Sequence, residues 1–406
     1  MVQNWLAAAV FLLAACSPAL ASDRDKWALE KIRNEHKVPG LAAAIIRDKG
    51  TQKAVVGYRK LGDRTRVRIT DKFHIGSNTK AMTGTLIALL IDQGHFNWTS
   101  TLPEVLPDEF QYMVEDYRNT TVGMLGSHHS GISEDLRLDT ELVEKLYDPS
   151  LTPREGRKMI MERILKKPLS GTPGQYVYDN INYILLGTII ENFMSGNRSW
   201  EEIAEQELFR PLGMGCGFGP PPESTLTSID NPWGHLVQNL TVPPTPVGGE
   251  SVPMIRRDNP PALGPAGTVH CDIKSHSKFI KMHLDAYKGK PIPLKISQET
   301  FKYLHTPYPS TGPTKYTYGG WVYLDGSTTP WSKGPLILHD GSNIVFYALS
   351  GLAPKLGNGG IGFISLTNIG NSVKDGTKPA DEAAFAAVEA MAEGRIFPLR
   401  GSGRNS

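Results

Sequence analysis

The spacing of hydrophobic residues changes several times along the chain. Residues 26–36 place their apolar side chains at helical intervals, which predicts a short helix. Two stretches rich in β-forming residues, 41–47 and 52–58, follow it. The turn signal Asp48-Lys49-Gly50 separates them. A helix and an antiparallel hairpin are therefore expected to open the fold.

A second helical segment differs from the first because it is apolar on nearly every side. Residues 79–93 contain Leu, Ile, Met and Ala at most positions, and Gly94 follows as the predicted end of the helix. A helix that is hydrophobic all round is buried inside a protein. The run therefore predicts a central helix that begins near residue 79.

The rest of the chain divides into a helical middle and a strand-rich end. Residues 121–212 predict further helices, including 183–193. Residues 211–267 are dense in Pro and Gly and predict a long irregular segment that roofs the site. The last third predicts strands at 320–324, 335–338, 345–350 and 360–367, and a closing helix at 383–393.

These elements predict one sheet that is assembled from both ends of the chain. The fold class is α/β: a central antiparallel sheet flanked by helices, with an inserted, mainly helical lobe. We expect residues 22–406 to form a single two-lobed domain. The helical lobe takes up about residues 70–310, and the active site lies between the lobes.

Composition and charge exclude several classes of partner. The chain has 43 basic and 41 acidic side chains, so its net charge of +2 favours neither nucleic acid nor an anionic membrane. Its 40% hydrophobic and 21% charged residues are typical of a soluble folded protein. The expected partner is a small-molecule ester, amide or peptide bound at a site.

The first 21 residues predict a signal peptide. The apolar run 6–15 is too short to span a bilayer, and Ala19-Leu20-Ala21 has the small-residue pattern of a cleavage site. We therefore expect a secreted protein with no integral membrane segment in the mature chain. Leu13-Ala14-Ala15-Cys16 supports an alternative, in which a bacterial lipobox anchors the protein through lipidated Cys16.

Two further features bear on secretion. Cleavage after Ala21 leaves only Cys216 and Cys271, which an oxidising compartment can join, although the sequence leaves that bond open. Four glycosylation sequons agree with a secretory glycoprotein: Asn97, Asn119, Asn197 and Asn239.

Three short motifs carry candidate chemistry: Ser77-Asn78-Thr79-Lys80, Tyr178-Asp179-Asn180 and His339-Asp340-Gly341. Singly they are weak, since a second S-x-x-K occurs at Ser275. Context separates the motif at Ser77 from the decoy at Ser275. Ser77 lies at the start of the predicted buried helix, and the i, i+3 spacing puts Lys80 on the same face of that helix as Ser77. We expect the decoy to lack such a helix.

These residue types suit nucleophilic catalysis. A serine hydroxyl needs a neighbouring group to take its proton, and burial lowers the pKa of a lysine until it can do so. The phenolic oxygen of Tyr178 would serve as a second base, and Asn180 would supply an orienting amide. His128-His129 has no H-E-x-x-H motif or Cys cluster beside it, so we expect no metal.

The motifs resemble those of the serine β-lactamase and penicillin-binding-protein superfamily, especially its class C-like branch with esterases and D-amino-acid peptidases. The similarity spans about residues 27–397. Besides the three motifs it includes 125–132, Pro173-Gly174, 183–187, Leu212-Gly213-Met214, Ala266-Gly267 with Asp272, and Leu366-Thr367-Asn368.

The resemblance implies a role for each motif residue. Ser77 would be the acylated nucleophile, Lys80 and Tyr178 its proton-transfer partners, and Asn180 an amide that contacts substrate. The backbone N–H groups of Ser77 and of Ser342, which follows Gly341 on an edge strand, would form the oxyanion hole. No metal or organic cofactor is implied.

One departure from the superfamily pattern affects the substrate. Where many members carry K-T-G, this chain has His339-Asp340-Gly341, so the permanent cation that helps to hold a substrate carboxylate is missing. Asp340 is expected to point away from the site, because neighbouring strand residues alternate sides. Penicillins and peptidoglycan stems are thereby disfavoured.

The resulting prediction is a secreted serine hydrolase that forms an acyl-enzyme at Ser77 and cleaves an ester or amide. The substrate would be a small ester, a D-peptide or a secondary metabolite. Two alternatives stay open. One is a catalytically silent scaffold of the same fold, and the other is a transesterase in a biosynthetic pathway.

Overall fold

The computed structural model describes residues 22–393 except 110, 134–138, 195, 223–228, 250–251 and 328. The predicted signal peptide and Cys16 lie outside the described residues. Twelve strands occur in the described part of the chain: β1 Gly40–Arg47, β2 Gly50–Gly57, β3 Lys72–His74, β4 Gly217–Phe218, β5 Gly234–Leu236, β6 Thr245–Val247, β7 Val269–Asp272, β8 Lys315–Tyr316, β9 Val322–Leu324, β10 Leu336–Ser342, β11 Tyr347–Ala353 and β12 Ile361–Thr367.

The helices of the described residues are α1 Asp23–Glu35, α2 Thr79–Asp92, α3 Leu102–Val105, α4 Val122–Gly126, α5 Thr140–Leu146, α6 Pro153–Leu165, α7 Asn180–Phe193, α8 Trp200–Ala204, α9 Arg210–Leu212, α10 Met254–Arg257, α11 Gly264–Gly267, α12 Ile273–Tyr287, α13 Gln298–Tyr303 and α14 Pro379–Glu393. A π-helical turn, Glu205–Phe209, joins α8 to α9, and short 3₁₀ turns include Gly76–Asn78.

Seven strands form one antiparallel sheet in the order β2-β1-β12-β11-β10-β9-β8. The predicted hairpin is confirmed, with Arg47 opposite Gly50. β1 also pairs with β12, so the first and last strands of the chain lie side by side in the sheet. The predicted fold class, a central antiparallel sheet flanked by helices, is confirmed.

Both faces of the sheet are covered, which explains why β1 is apolar at nearly every position. α1 and α14 pack on one face, over the side chains of Leu41, Ala43 and Ile45. α12 packs on the other face, over Ala42 and Ala44, within the core that extends to α2 and α7. A strand buried on both faces has no polar side to alternate with.

The predicted ends of two strands differ from the structure. β10 continues from Leu336 to Ser342, beyond the predicted end at 338, because the polar third motif keeps pairing with β11. β11 begins at Tyr347 rather than at 345, because the intervening residues form the turn between the two strands.

The Pro- and Gly-rich segment 211–267 is less irregular than predicted. It contains β4, which pairs with β7, the hairpin of β5 and β6, and the short helices α10 and α11. A disulfide joins Cys216, just before β4, to Cys271 in β7. Among the described residues, no helix is both long enough and apolar enough to cross a bilayer.

Candidate active site

Ser77 lies on the 3₁₀ turn Gly76–Asn78, which leads from β3 into α2. Gly76 has a φ of 52°, in the left-handed region, and a Cβ there would fall 2.3 Å from the backbone nitrogen of Ser342. Only glycine suits both the backbone conformation and the close approach. The turn that carries Ser77 is therefore packed directly against β10.

Lys80 is completely buried on the first turn of α2. Its Nζ donates hydrogen bonds to Ser77 Oγ at 3.1 Å, Asn180 Oδ1 at 2.7 Å and the carbonyl of Ala266 at 2.7 Å. Burial lowers the pKa of Lys80 from its ordinary value of 10.5 to about 7, although the charges of Asp179 and Asp340 oppose the shift. The pKa of the amine next to Ser77 is thus lowered toward the neutral range.

Tyr178 reaches Ser77 from the other side. Its hydroxyl donates a hydrogen bond to Ser77 Oγ at 2.7 Å, and the Nζ of Lys80 lies 4.9 Å from the centre of its ring. Tyr178 is 40% exposed, yet desolvation by the surrounding protein raises the pKa of its phenol above its ordinary value. In the free protein Tyr178 is therefore a protonated phenol, and its role as a second base stays a prediction.

Asn180 occupies the first position of α7. The side chain of Asp179 accepts a hydrogen bond from the N–H of Ile181 at 2.8 Å, which caps the helix and fixes where it starts. This start places the side-chain oxygen Oδ1 of Asn180 at 2.7 Å from the Nζ of Lys80. The contact of Asn180 with substrate stays a prediction.

His339 lies on β10 and is 3% exposed. Its Nε2 is 2.8 Å from the hydroxyl of Tyr316, and its Nδ1 contacts the carbonyl of Asp340. Burial lowers the pKa of His339 to about 4, so the ring is neutral at pH 7. The Asp340 side chain is exposed, in agreement with the expectation that it points away from the site.

Gly341 and Ser342 form the part of β10 nearest to Ser77. A Cβ on Gly341 would fall 2.1 Å from the carbonyl oxygen of Ile75 and 2.6 Å from the nitrogen of Ser77. β9 pairs only with Leu336–Leu338, so β10 is an edge of the sheet beyond that point. The backbone nitrogens of Ser77 and Ser342 thus come close to each other beside the nucleophile.

The structure brings together all seven residues that the sequence singled out, and it separates them from the decoy. Contrary to expectation, Ser275 does lie in a helix, α12. However, its hydroxyl donates to Asp272 at 2.9 Å, while the Nζ of Lys278 contacts the carbonyl of Gly213. The decoy serine and lysine therefore have separate partners.

Sequence reasoning missed three groups that contact this site. They are the carbonyl of Ala266, which accepts from Lys80, the hydroxyl of Tyr316 on His339, and the side chain of Asn78. Ala266 lies in a stretch that resembles the superfamily, but nothing local pairs Tyr316 or Asn78 with distant strands. Among the described residues, no group of three or more His, Cys, Asp or Glu is placed to hold a metal.

Comparison with known proteins assigns this arrangement to a family. A family model described as Beta-lactamase matches residues 24–388, nearly the whole described chain. The chain belongs to the beta-lactamase family. Members of the wider superfamily of β-lactamases and penicillin-binding proteins include serine hydrolases.

Two relatives of this beta-lactamase family member come from a bacterium and a fungus. Penicillin-binding protein 4 of Amycolatopsis lactamdurans is 29% identical over 270 residues, covering 65% of this chain and 64% of that protein. Unguisins hydrolase ungD' of Aspergillus campestris is 23% identical over 332 residues, covering 79% of this chain and 57% of that protein. The chain thus spans less than two thirds of either relative.

Solved structures show the same fold. A penicillin-binding protein homologue from Pyrococcus abyssi, described as octameric, aligns with a TM-score of 0.67 and 21% identity over 92% of this chain and 77% of its own. A class C beta-lactamase aligns with a TM-score of 0.67 and 16% identity over 92% of this chain and 96% of its own.

Proposed function

We propose that this protein is a serine hydrolase that forms an acyl-enzyme at Ser77 and cleaves an uncharged ester or amide. The observation that carries the proposal is the position of Ser77 Oγ, 3.1 Å from the Nζ of Lys80 and 2.7 Å from the hydroxyl of Tyr178. A serine with a base on one side and a proton donor on the other has what acyl transfer requires.

The contacts of Lys80 explain how it would take the proton. A neutral amine has two N–H groups and one lone pair. Asn180 Oδ1 and the Ala266 carbonyl are pure acceptors at 2.7 Å, so they take the two N–H groups. The lone pair then faces Ser77 Oγ, whose own proton points back at it. Because burial lowers the pKa of Lys80 to about 7, this neutral form is well populated near neutral pH.

The reaction then follows in two balanced steps. Ser77 Oγ attacks the substrate carbonyl as Lys80 takes the hydroxyl proton, and the oxyanion is bound by the N–H groups of Ser77 and Ser342. The bond to the leaving group breaks, and the leaving group takes the phenol proton of Tyr178. The ammonium of Lys80 replaces that proton, so the phenol is restored and the amine is neutral again. Water next attacks the acyl-enzyme with Lys80 as base, which releases the acid and restores Ser77.

The neutral state of His339 supports an uncharged substrate. The pKa of this ring is about 4, so at pH 7 it offers no charge to a substrate carboxylate. The exposed carboxylate of Asp340, its neighbour in β10, adds negative charge to this region. A relative named for the hydrolysis of unguisins agrees with hydrolysis as the outcome.

Labelling tests the nucleophile. The wild-type protein and Ser77→Ala are treated with a fluorophosphonate, analysed by intact mass, and assayed on p-nitrophenyl esters and on D- and L-aminoacyl amides. One adduct and turnover in the wild type, both absent in Ser77→Ala, support the proposal. An unlabelled wild type with no turnover would favour the silent scaffold. Product esters formed only with an added alcohol would favour the transesterase.

A matched substrate pair tests the substrate class. p-Nitrophenyl butyrate is compared with the p-nitrophenyl half-ester of succinate, which carries a carboxylate. The wild type is expected to prefer the neutral ester, and His339→Lys is expected to shift the kcat/KM ratio toward the anionic one by about tenfold. His339→Gln, which stays neutral, serves as the control. A wild type that prefers the anionic ester would refute this substrate class.

Secretion forms part of the same proposal. The disulfide between Cys216 and Cys271 agrees with an oxidising compartment, where such bonds persist. The test is to express the chain with its own N-terminus in a secreting host and to sequence the N-terminus of the product. Protein in the medium that starts at Ser22 supports the signal peptide. A membrane-bound product that starts at a lipidated Cys16 supports the anchor, and cytosolic protein that starts at Met1 overturns both.

A further inference from the structure

We propose that Asp258 is a positioning residue that holds the two backbone nitrogens of the oxyanion hole, those of Ser77 and Ser342, in their relative positions. This inference rests on the function proposed above. Asp258 follows α10 in the Pro- and Gly-rich segment, and its side chain is fully buried. Its Oδ1 lies 2.9 Å from Nε2 of His74 and accepts a hydrogen bond from Nδ2 of Asn343 at 3.1 Å. His74 binds the residue before Ser77, and Asn343 follows Ser342, so the two partners lie next to the two oxyanion-hole nitrogens in the chain.

The first partner, His74, controls the turn that carries Ser77. Nδ1 of His74 accepts the backbone N–H of Gly76 at 3.1 Å. Since this nitrogen acts as an acceptor, the ring proton lies on Nε2, which is close to Asp258 Oδ1 but makes no hydrogen bond with it. The close contact with Asp258 restrains the position of a ring that binds the residue just before Ser77.

The second partner, Asn343, directly follows Ser342. Its Nδ2 also donates to the carbonyl of Arg257 at 3.3 Å, and its Oδ1 accepts the N–H of Phe346 at 3.0 Å. Asn343 thus links the turn after β10 to the segment that carries Asp258. The position of the Ser342 nitrogen depends on this turn.

The turn after β10 is strained, so it needs such restraints. Ile344 is β-branched and yet has a φ of 77°, in the left-handed region. The hydroxyl of Ser342 accepts the N–H of Ile344 at 2.9 Å and donates to the carbonyl of Phe346 at 2.7 Å. A residue in this costly conformation persists only when its surroundings hold it there, and Asp258 and Asn343 provide part of that restraint.

The contacts of Asp258 indicate that it acts through position, not charge. Oδ1 also accepts the N–H of Asn259 at 2.8 Å, and the backbone carbonyl of Asp258 accepts the hydroxyl of Tyr147 at 2.8 Å. All three polar contacts of the carboxylate are made by Oδ1. An amide that places its oxygen there would keep all three, so Asp258→Asn is expected to function and Asp258→Ala to fail.

The test compares an ester with its thionoester. Sulfur is larger and a weaker hydrogen-bond acceptor than oxygen, so a well-set oxyanion hole favours the oxygen ester. In Asp258→Ala, kcat for the ester is expected to fall on the order of 100-fold, as when one donor is lost. The thionoester rate should fall much less, so the ester-to-thionoester ratio should drop on the order of tenfold. Asp258→Asn should retain the wild-type ratio.

Controls separate positioning from general destabilisation. Glu191→Ala removes another buried carboxylate, which pairs with Arg157 in the helical lobe, and should leave the ratio unchanged whatever it does to stability. Asn343→Ala should lower the ratio as Asp258→Ala does, and it decides the matter if Asp258→Ala does not fold. An Asp258→Asn variant as impaired as Asp258→Ala would overturn a purely positional role.

The two proposals fail in different ways. A wild-type protein that takes no fluorophosphonate at Ser77 contradicts the proposed function itself. A wild type that is labelled, together with folded Asp258→Ala and Asn343→Ala variants of unchanged ester-to-thionoester ratio, overturns only the role of Asp258.

Discussion

The hydroxyl of Ser350 donates a hydrogen bond to the side-chain oxygen of Asn78, although the two residues stand 272 positions apart in the chain. Both side chains are buried. The Nδ2 of Asn78 donates to the carbonyls of Ala348 at 3.2 Å and Ile75 at 3.0 Å. The residue next to Ser77 is thereby fastened to β11, in the middle of the sheet.

Replacing Asn78 with alanine should therefore affect both stability and activity. Asn78→Ala leaves the Ser350 hydroxyl and the Ala348 carbonyl without this partner, at a cost of about 1–3 kcal/mol in the free energy of unfolding. It should also lower kcat, because the turn that carries Ser77 is no longer fixed to β11. Urea denaturation and steady-state assays measure the two effects. Ser350→Ala removes one of the three bonds and should cost less; equal losses would contradict this account.

The low pKa of Lys80 predicts how activity depends on pH. Only the neutral amine can accept the proton of Ser77, so kcat/KM for a neutral ester should rise about tenfold per pH unit below the pKa and level off above about 7. A pH profile of kcat/KM measures this. Lys80→Arg, whose side chain stays charged, should have little activity and no such rise. A wild-type inflection near the ordinary lysine value of 10.5 would show that burial does not tune the amine.

Gly341 should tolerate no side chain. The Cβ of Gly341→Ala would overlap backbone atoms of Ile75 and Ser77, and would push β10 away from the turn. Because the Ser342 nitrogen moves with β10, kcat should fall on the order of 100-fold. Gly312→Ala is the matched control, since a Cβ there meets no atom within 4 Å. If both variants keep wild-type kcat, the close packing of β10 on the turn is not needed for activity.

The disulfide should stabilise the fold without serving the chemistry. It joins Cys216 and Cys271, 55 residues apart, and its loss should cost about 2–4 kcal/mol in the free energy of unfolding. Urea denaturation of the wild type with and without reductant, compared with the double variant Cys216→Ser and Cys271→Ser, measures the loss. Reductant should shift the wild-type midpoint only. Equal midpoints for the oxidised wild type and the double variant would contradict this prediction.

Features that arise within a few neighbouring residues could be read from the sequence. The all-apolar run after residue 79 specified a buried helix, and the i, i+3 spacing then placed Lys80 beside Ser77. The β-forming stretches and the turn signal within 41–58 specified the opening hairpin in the same way. Helical spacing and turn signals depend on residues that are close together in the sequence, so the local sequence is enough to reveal them.

Only the tertiary structure decided what meets at Ser77. Tyr178, Asn180 and His339 were named from short motifs and a resemblance, and the structure adds that the Tyr178 hydroxyl donates a hydrogen bond to Ser77 Oγ and has a raised pKa. The contacts of Asp258 with His74 and Asn343 gave no signal in the sequence. Whether these residues come together depends on how strands from both ends of the chain pair, and their pKa values depend on which groups lose contact with water. Both are properties of the packed fold that no local pattern encodes.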